Sequence, residues 1–323
     1  MWKTIVRRLL ILIPQAFVLS LIIFAIAQIM PGDALRGMVD PATTTAADLE
    51  ELRRQHGLLD PWYVQYARWM RGIFLDGDFG QSIRHGRPVT AVIADRMMNT
   101  VRLSLLTTLF TYIIALPLGI IAARRQGTMV DKSIMLYTFV ALSMPTVVLA
   151  LVNLLIFGFN LGWFPVLGSV NVHADAAGGL TAFISRMHHL ILPAITLALI
   201  STMGIIYFLR SEIIDHETSD FVTTARSKGV PRNKVYTRHI LRNAVLPIAG
   251  GAGFVIAGLF SGSFFIETVF AYPGMGELFL TSIMTRDFPV ANILIMFYAV
   301  IGVVSVLITD IVITVIDPRI RIK

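Results

Sequence analysis

The sequence contains no cysteine and has few charged residues. Of its 323 residues, 15% are Asp, Glu, Lys or Arg, whereas 55% are hydrophobic. The absence of cysteine excludes disulfides, thiolate nucleophiles and cysteine-ligated metal sites. Because soluble domains are about 25% charged, this chain has too few solvating side chains to cover a surface in water. The composition therefore indicates a membrane protein.

Long charge-free windows predict membrane spans. A helix needs roughly 20 mainly apolar residues to cross the hydrocarbon core of a bilayer. Six windows of suitable length are present, at residues 9–32, 103–123, 133–160, 187–209, 243–266 and 288–309. They are continuous apolar runs rather than alternating segments of about ten residues, which disfavours a β-barrel. We predict an all-α, polytopic membrane protein with six transmembrane helices, the first of them retained rather than cleaved as a signal.

The basic residues are distributed unevenly between the loops. An even number of spans places both termini on one side, and sixteen Lys and Arg residues fall on that side. The short loops of the opposite side contribute Arg186 and Arg286. Since short cytoplasmic loops are enriched in Lys and Arg, we predict that both termini are cytoplasmic. This distribution accounts for the net charge of +7, and no nucleic-acid partner is expected.

Two connections are too long to be simple turns. The external segment 33–100 contains two predicted helices, one carrying the charged residues of 48–54 and one beginning after Pro61. We expect an extracytoplasmic lobe there, and we divide the chain into residues 1–100, the first helix with this lobe, and residues 101–323, the transmembrane core. The core includes a polar, basic and helix-prone cytoplasmic segment at 210–242, where functional contacts are expected.

Candidate chemistry is sparse. Residues 76–80 mimic a kinase element and a calcium loop, but they lack the companion motifs of either and predict a tight turn. His188 and His189 are adjacent, so in a helix they point about 100° apart, which favours an interfacial helix start over a metal site. No phosphate-binding loop motif occurs. We therefore expect no catalytic site, metal or bound cofactor in this chain, and any nucleotide must bind to another chain.

The fifth window and the loop after it contain candidate pore residues. Gly258 and Gly262 have the small-xxx-small spacing that lets helices approach closely, so they predict either packing or a moving, pore-lining helix. The candidate pore or gate residues are Gly258, Gly262, Phe264, Tyr272, Pro273 and Gly274, with a hinge in the last three. Asp310 lies in the last hydrophobic stretch, where an acid suggests a functional site, although interfacial solvation or pairing with Asp317 is equally compatible.

The cytoplasmic segment carries the most specific pattern. It reads Asp220-Phe-Val-Thr-Thr-Ala-Arg-Ser-Lys-Gly229 and continues to Pro247. A short basic helix with a glycine stop suits docking into a cleft of a partner. The pattern closely resembles the EAA loop of ATP-binding-cassette importer permeases, in the form found in the dipeptide and oligopeptide branch. The resemblance implies that the residues coupling to the ATPase are Asp220, Thr223, Thr224, Ala225, Arg226, Lys228 and Gly229.

The resemblance extends over nearly the whole chain. Further matching elements are Arg8-Leu9-Leu10, Pro31-Gly32-Asp33, Leu116-Pro117-Leu118-Gly119, Ser143-Met144-Pro145, Gly162-Trp163-Phe164-Pro165, Leu192-Pro193, Glu267-Thr268-Val269-Phe270, Tyr272-Pro273-Gly274-Met275-Gly276 and Asp317-Pro318-Arg319. The segment differs from the Glu-Ala-Ala sequence that gives the EAA loop its name, because Thr223 and Thr224 stand where Glu and Ala are expected. Threonines at these positions are typical of the peptide branch, and Asp220 is the nearest acidic substitute.

The resemblance implies a type I importer permease fold, with this chain forming half of a pore in the lipid of a prokaryotic inner membrane. The implied partners are a second homologous permease, two cytoplasmic ATPases that hold ATP and Mg²⁺, and an extracytoplasmic solute-binding protein. The implied activity is peptide import by alternating access. Nickel, glutathione or an oligosaccharide is the alternative solute within this branch. A secondary transporter, or a membrane receptor or scaffold, is the alternative outside it.

Overall fold

The computed structural model describes residues 2–29 and 59–316, together with positions 48, 50, 51 and 54. The helices are α1 (Trp2–Ile29), α2 (Trp62–Arg71), α3 (Val89–Arg124), α4 (Met129–Ser143), α5 (Thr146–Asn153), α6 (Val172–Ala177), α7 (Gly179–Glu217), α8 (Asp220–Ser227), α9 (Arg232–Lys234), α10 (Leu241–Ala244), α11 (Leu246–Gly250), α12 (Ala252–Ser261), α13 (Phe264–Val269), α14 (Met275–Met284) and α15 (Phe288–Ile316). Wider π-helical turns extend α2, α5 and α9 over Gly72–Asp76, Leu154–Asn160 and Val235–Ile240. The predicted all-α class is confirmed.

Three helices are long and apolar enough to cross a membrane by length and composition: α3, α7 and the Phe288–Thr314 part of α15. The number rises to five within the described residues if each of two bent helix pairs forms one span. These pairs are Met129–Ser143 with Thr146–Asn160, and Arg232–Ile248 with Gly253–Val269. The first predicted span, 9–32, overlaps α1 up to Ile29, and Ile13–Ile22 is the apolar stretch of this helix. A multi-pass helical membrane protein is confirmed, and the total of six spans stays a prediction.

Two of the predicted windows are broken helices. The window 133–160 bends by 105° between α4 and α5. Met144 has extended backbone at the break, because the proline that follows it, Pro145, disfavours a helical conformation in the preceding residue. The window 243–266 is divided among α10 to α13 and bends by 45°. The expectation of one helix for each of these windows is corrected accordingly.

The unbroken helices are longer than their apolar windows. The windows 103–123 and 187–209 end at charged or polar residues, but α3 begins at Val89 and α7 runs from Gly179 to Glu217. A charged side chain ends an apolar window without ending the helix, because it stays hydrated beyond the hydrocarbon core. His188 and His189 consequently lie inside α7, and the prediction that they mark a helix start is wrong.

α3 and α7 form the centre of the bundle and run in the same direction. Leu103 of α3 and Leu190 of α7 share an apolar cluster with Tyr272. Further along both helices, Ala123 and Leu209 share a second cluster with side chains of α8. The 36 residues of α3 extend over roughly 54 Å, which exceeds the hydrocarbon thickness of about 30 Å. We refer to the two ends of the bundle as the α14 end and the α8 end.

The part of the predicted lobe that the structure describes packs on α1. The Tyr66 ring of α2 lies edge-on to Phe17 with ring centroids 6.2 Å apart, and its hydroxyl lies 2.7 Å from that of Ser20. Pro61 immediately precedes α2, which confirms the predicted helix start. The remainder of the segment, residues 33–47, 49, 52, 53 and 55–58, lies outside the described residues.

The predicted turn at 76–80 is confirmed. Gly77 has φ +63, and the backbone amide of Gly80 donates to the carboxylate of Asp78 at 2.8 Å. This side-chain hydrogen bond is the local bond that favours Asp in turns. The segment that follows is held to the start of α15 by Asp287, which is 1% exposed and accepts a 2.5 Å hydrogen bond from the Ser82 hydroxyl.

Candidate coupling and translocation sites

α8 is a short surface helix with one buried face and one exposed face. Val222 and Ala225 are 0% and 6% exposed, and they pack in the same cluster as Leu209 and Ile213 of α7. Their spacing of three residues places them on one side of the helix. The other residues of α8 and the Lys228 that follows it are exposed, and the side opposite the buried pair is formed by Asp220, Thr223, Thr224 and Ser227: the full exposed set is Asp220, Phe221, Thr223, Thr224, Arg226, Ser227 and Lys228. Two small apolar side chains thus seat α8 on its own chain, and the rest of its surface faces outward.

The glycine after α8 ends the helix. Gly229 has φ +72, and its amide donates to the carbonyl of Arg226 at 3.0 Å. The amide of Val230 donates to the carbonyl of Ala225 at 3.2 Å. A left-handed backbone at this position favours glycine, because other residues carry a Cβ. A Cβ on Gly229 would meet no atom of the described residues within 4 Å, so the requirement for glycine is conformational rather than steric.

Two polar contacts connect the helices at the α8 end. The Arg124 guanidinium, at the end of α3, lies 4.1 Å from the centre of the Tyr236 ring, which is 7% exposed. Arg210 of α7 forms a two-pronged ion pair with Asp131 of α4, at 2.7 and 2.9 Å. Asp131 is buried and also accepts from the amide of Gly127. The first contact joins α3 to the segment that follows α8, and the second joins α7 to α4.

The predicted pore residues of α12 and α13 lie in contrasting surroundings. Gly258 is exposed, and a Cβ there would meet no described atom within 4 Å. Close helix contact occurs instead at Gly253, where a Cβ would overlap the carbonyl of Ser305 in α15. Phe264 packs on Phe265 with ring centroids 4.9 Å apart. Within the described chain, Gly258 is therefore free to contact a partner or to line a permeation path, whereas Gly253 packs against α15.

The predicted gate residues are buried against α3. Tyr272 is 1% exposed, and its hydroxyl donates to the carbonyl of Asn99 at 3.1 Å. The Asn99 side chain in turn donates to the carbonyl of Pro273 at 3.0 Å. Burial raises the pKa of the Tyr272 hydroxyl above its ordinary value. Gly262 and Gly274 face the carboxylate of Glu267.

Two protein-family models match almost the whole chain. One, described as the inner membrane component of binding-protein-dependent transport systems, matches residues 115–322. The other, described as the N-terminal part of the membrane component, matches residues 1–104. The first model alone matches more than half of the chain. The chain belongs to this family of transport permeases. The two matches meet within α3, which runs without interruption through the predicted division at residue 100.

Several named relatives resemble the permease over nearly its full length. It is 38% identical over 318 residues to the oligopeptide transport system permease protein AppB of Bacillus subtilis, covering 98% of each chain. It is 32% identical to a putative peptide transport system permease protein of Brucella abortus, covering 99% of each. It is also 32% identical to the glutathione transport system permease protein GsiC of Escherichia coli, covering 100% of each.

The fold of the permease resembles a solved transporter structure. The inward-facing structure of the MetNI methionine ABC transporter has a chain that matches with a TM-score of 0.50 at 13% identity. The match covers 69% of the permease and 97% of that chain. This likeness concerns the fold, and it confirms the expected importer permease architecture.

Sequence reasoning missed the main polar contacts within the permease. Glu267 appeared only as a matching element of the resemblance, but it is 0% exposed and accepts hydrogen bonds from Thr100 and from the backbone of Glu277. The Asp131–Arg210 pair was not anticipated either. One signal was available for Glu267: an acid in an apolar stretch must be paired or hydrogen-bonded when it is buried. Asp310, which was considered, is partly exposed in α15.

Proposed function

We propose that the permease is one of two similar pore-forming subunits of an ATP-driven importer of peptides. The peptide assignment is supported by the names of AppB and of the Brucella abortus relative. In this proposal the chain crosses the inner membrane six times, with both termini and the α8 end in the cytoplasm. A solute-binding protein delivers the peptide at the α14 end, in keeping with a family described as binding-protein-dependent.

The observation that carries the coupling proposal is the two-sided character of α8. Asp220, Thr223 and Thr224 are exposed on a helix whose other face, formed by Val222 and Ala225, packs on its own chain. A helix held in this way presents a fixed surface to a groove of another protein. We assign that partner as a cytoplasmic ATPase, one for each permease, which binds ATP and Mg²⁺ and supplies the hydrolysis that this chain does not perform.

Movement of α8 is transmitted to α3 and α7 through direct packing. Ala123 of α3 lies in the same cluster as Ala225, and so do Leu209 and Ile213 of α7. Tightly packed side chains transmit displacement rather than absorbing it. Closure of the two ATPases would therefore shift the α8 ends of α3 and α7 and open the pore alternately to each side. ATP binding drives this change only if it favours one arrangement over the other.

ATP dependence of uptake tests the proposal. The permease is reconstituted in liposomes with its companion permease and ATPases, and the uptake of labelled tri-alanine and penta-alanine is measured with the binding protein present. We expect uptake that needs ATP and persists when an ionophore abolishes the proton gradient. Uptake that follows the proton gradient without ATP would indicate a secondary transporter. Uptake of glutathione, Ni²⁺ or an oligosaccharide in place of both peptides would replace the solute but retain the mechanism.

A further inference from the structure

The carboxylate of Glu267 lies at the meeting point of three segments. Glu267 belongs to α13, is 0% exposed and has two oxygens that accept hydrogen bonds from neutral donors. Its Oε1 accepts from the hydroxyl of Thr100 in α3 at 3.0 Å. Its Oε2 accepts from the backbone amide of Glu277 in α14 at 2.8 Å. A single side chain thus connects α3, α13 and α14.

These contacts cap the amino end of α14. The first amides of a helix have no partner within the helix, and Gly274 at the cap position offers no side chain. The amide of Met275 donates instead to the hydroxyl of Thr100 at 2.7 Å, and the amide of Glu277 donates to Glu267. A negative charge is favourable at this end of a helix dipole. The cap of α14 is therefore supplied by other helices, α3 and α13.

Three glycines leave room for the carboxylate. A Cβ on Gly262 would lie 2.6 Å from Oε1 of Glu267, and a Cβ on Gly276 would lie 3.1 Å from Oε2. A Cβ on Gly274 would overlap the carboxylate directly. Gly262 also has φ +70, which glycine adopts without strain. The absence of side chains at these three positions therefore leaves a space that one buried carboxylate fills.

One face of α3 receives the whole loop. Arg96, Asn99 and Thr100 are spaced by three and four residues, so they lie on one side of the helix. Arg96 forms an ion pair with Glu277 at 2.9 Å. Asn99 makes two hydrogen bonds to the loop, one through its side-chain amide and one through its backbone carbonyl. The loop is thus held to α3 at successive positions on the helix.

We infer that Glu267 is a positioning residue that fixes the loop 270–277 to α3, so that both move as one unit during transport. The inference rests on the proposed import function and deepens it. It contradicts the expectation of a hinge at Tyr272, Pro273 and Gly274, because a hinge there would break the bonds to Asn99, Thr100 and Glu267 together. Movement at this end must instead involve the unit as a whole.

A tether between α3 and α14 tests this directly. The chain has no cysteine, so the double variant Arg96→Cys with Glu277→Cys can be joined by a short bifunctional methanethiosulfonate. These two side chains are partly exposed, and neither is an acceptor in the cap. In the reconstituted complex, we expect the tethered permease to retain uptake of labelled tri-alanine within about twofold of the same variant treated with a monofunctional reagent. A loss of about tenfold or more that is reversed by reduction would overturn the inference.

Substitutions at Thr100 test whether the carboxylate bond positions the loop. Thr100→Ser keeps the hydroxyl and Thr100→Val keeps the shape, so the pair isolates the hydrogen bond. In membranes carrying the cysteine pair, we expect the serine variant to cross-link with the yield of the parent and the valine variant to cross-link several-fold less, as does Glu267→Gln. Equal yields in all variants would overturn the positioning role.

The two tests separate this inference from the proposed function. If the untethered complex takes up neither tri-alanine nor penta-alanine, peptide import fails for the parent itself. The tether is then scored by ATP hydrolysis in the presence of the binding protein, and cross-linking yields in membranes need no solute. Retained hydrolysis after tethering supports the single-unit account, whereas hydrolysis abolished by the tether and restored by reduction contradicts it.

Discussion

α8 and the loop 270–277 were both predicted to be functional, α8 in coupling to the ATPase and the loop in gating, but their polar atoms are used differently. In α8, Thr224 and Arg226 are exposed, and apolar contacts seat the helix. In the loop, Tyr272 is buried, and its hydroxyl is satisfied by α3. The comparison teaches that a segment whose polar groups are hydrogen-bonded within the chain serves to position parts of that chain. A segment whose polar groups stay exposed, on a helix held by apolar contacts, is the one available to a partner.

The same contrast appears between individual threonines. Thr224 of α8 is exposed, whereas Thr100 of α3 is 0% exposed and both donates and accepts a hydrogen bond. Removing a buried hydroxyl leaves its partners without a bond, which costs about 1–3 kcal/mol, but removing an exposed one costs little. Substitution of buried polar residues such as Thr100 should therefore lower stability, whereas substitution of exposed residues such as Thr224 should affect partner binding.

The largest effect is expected for Gly274→Ala. Its Cβ would overlap the carboxylate of Glu267, and relief of the overlap would displace the cap of α14. We expect a loss of about 2–4 kcal/mol in the free energy of unfolding from overpacking and lost hydrogen bonds. The measurement is thermal unfolding of the purified permease in detergent. Gly258→Ala is the matched control and should not lower the transition, because nothing described lies near its Cβ and alanine favours a helix over glycine. Equal unfolding transitions for both variants would contradict the conclusion that the Glu267 carboxylate and its contacts stabilise the fold.

A smaller loss is expected at the α8 end from Arg210→Met. The substitution leaves the buried Asp131 carboxylate without its two-pronged partner. Breaking a buried pair costs about 3 kcal/mol, and the partial exposure of Arg210 reduces this to roughly 2 kcal/mol. Arg186→Met is the control, because its pair with Asp175 is exposed and contributes about 0–1 kcal/mol. If unfolding of the two variants is indistinguishable, the Asp131 pair does not stabilise this end.

The smallest effect on stability is expected for Thr224→Arg on the outer face of α8. The side chain is exposed, so unfolding should change by no more than about 0.5 kcal/mol. Binding of the ATPase should weaken about tenfold, since an interface core tolerates extra bulk and charge poorly. Ala225→Glu is the contrasting variant: a buried charge beside Val222 should destabilise the permease itself. Normal ATPase binding by a stable Thr224→Arg permease would exclude this face as the docking surface.

The sequence predicted elements whose signals are local. Charge-free windows located the main spans, and the spacing from Ala225 to Gly229 located α8 and its end. The breaks after Ser143 and around Gly251 were missed, because an apolar window measures hydrophobicity and not backbone continuity. Family resemblance identified the coupling segment but could not indicate that Ala225 faces inward.

The carboxylate site could not be derived from sequence alone. Thr100 and Glu267 are 167 positions apart in the chain, and the local sequence around either residue does not predict their contact. The hydrogen bonds of α14 to its neighbours likewise depend on how three helices meet. Glycines near an isolated acid were visible, but the same glycines also suited the hinge that we predicted. The burial of Glu267 and Tyr272 favours the carboxylate site, and the tether experiment tests the hinge.

Cysteine labelling of the two segments tests the central contrast most directly, because the native chain has no cysteine. Single variants Thr224→Cys and Met275→Cys are treated with a membrane-impermeant maleimide in the isolated permease and in the complex with its ATPases, with access to both faces of the membrane. The account predicts that Thr224→Cys reacts in the isolated permease and is protected by the ATPases. Met275→Cys, at a position that is 0% exposed, should react in neither. Ready labelling of Met275→Cys, or labelling of Thr224→Cys that the ATPases leave unchanged, would contradict the account.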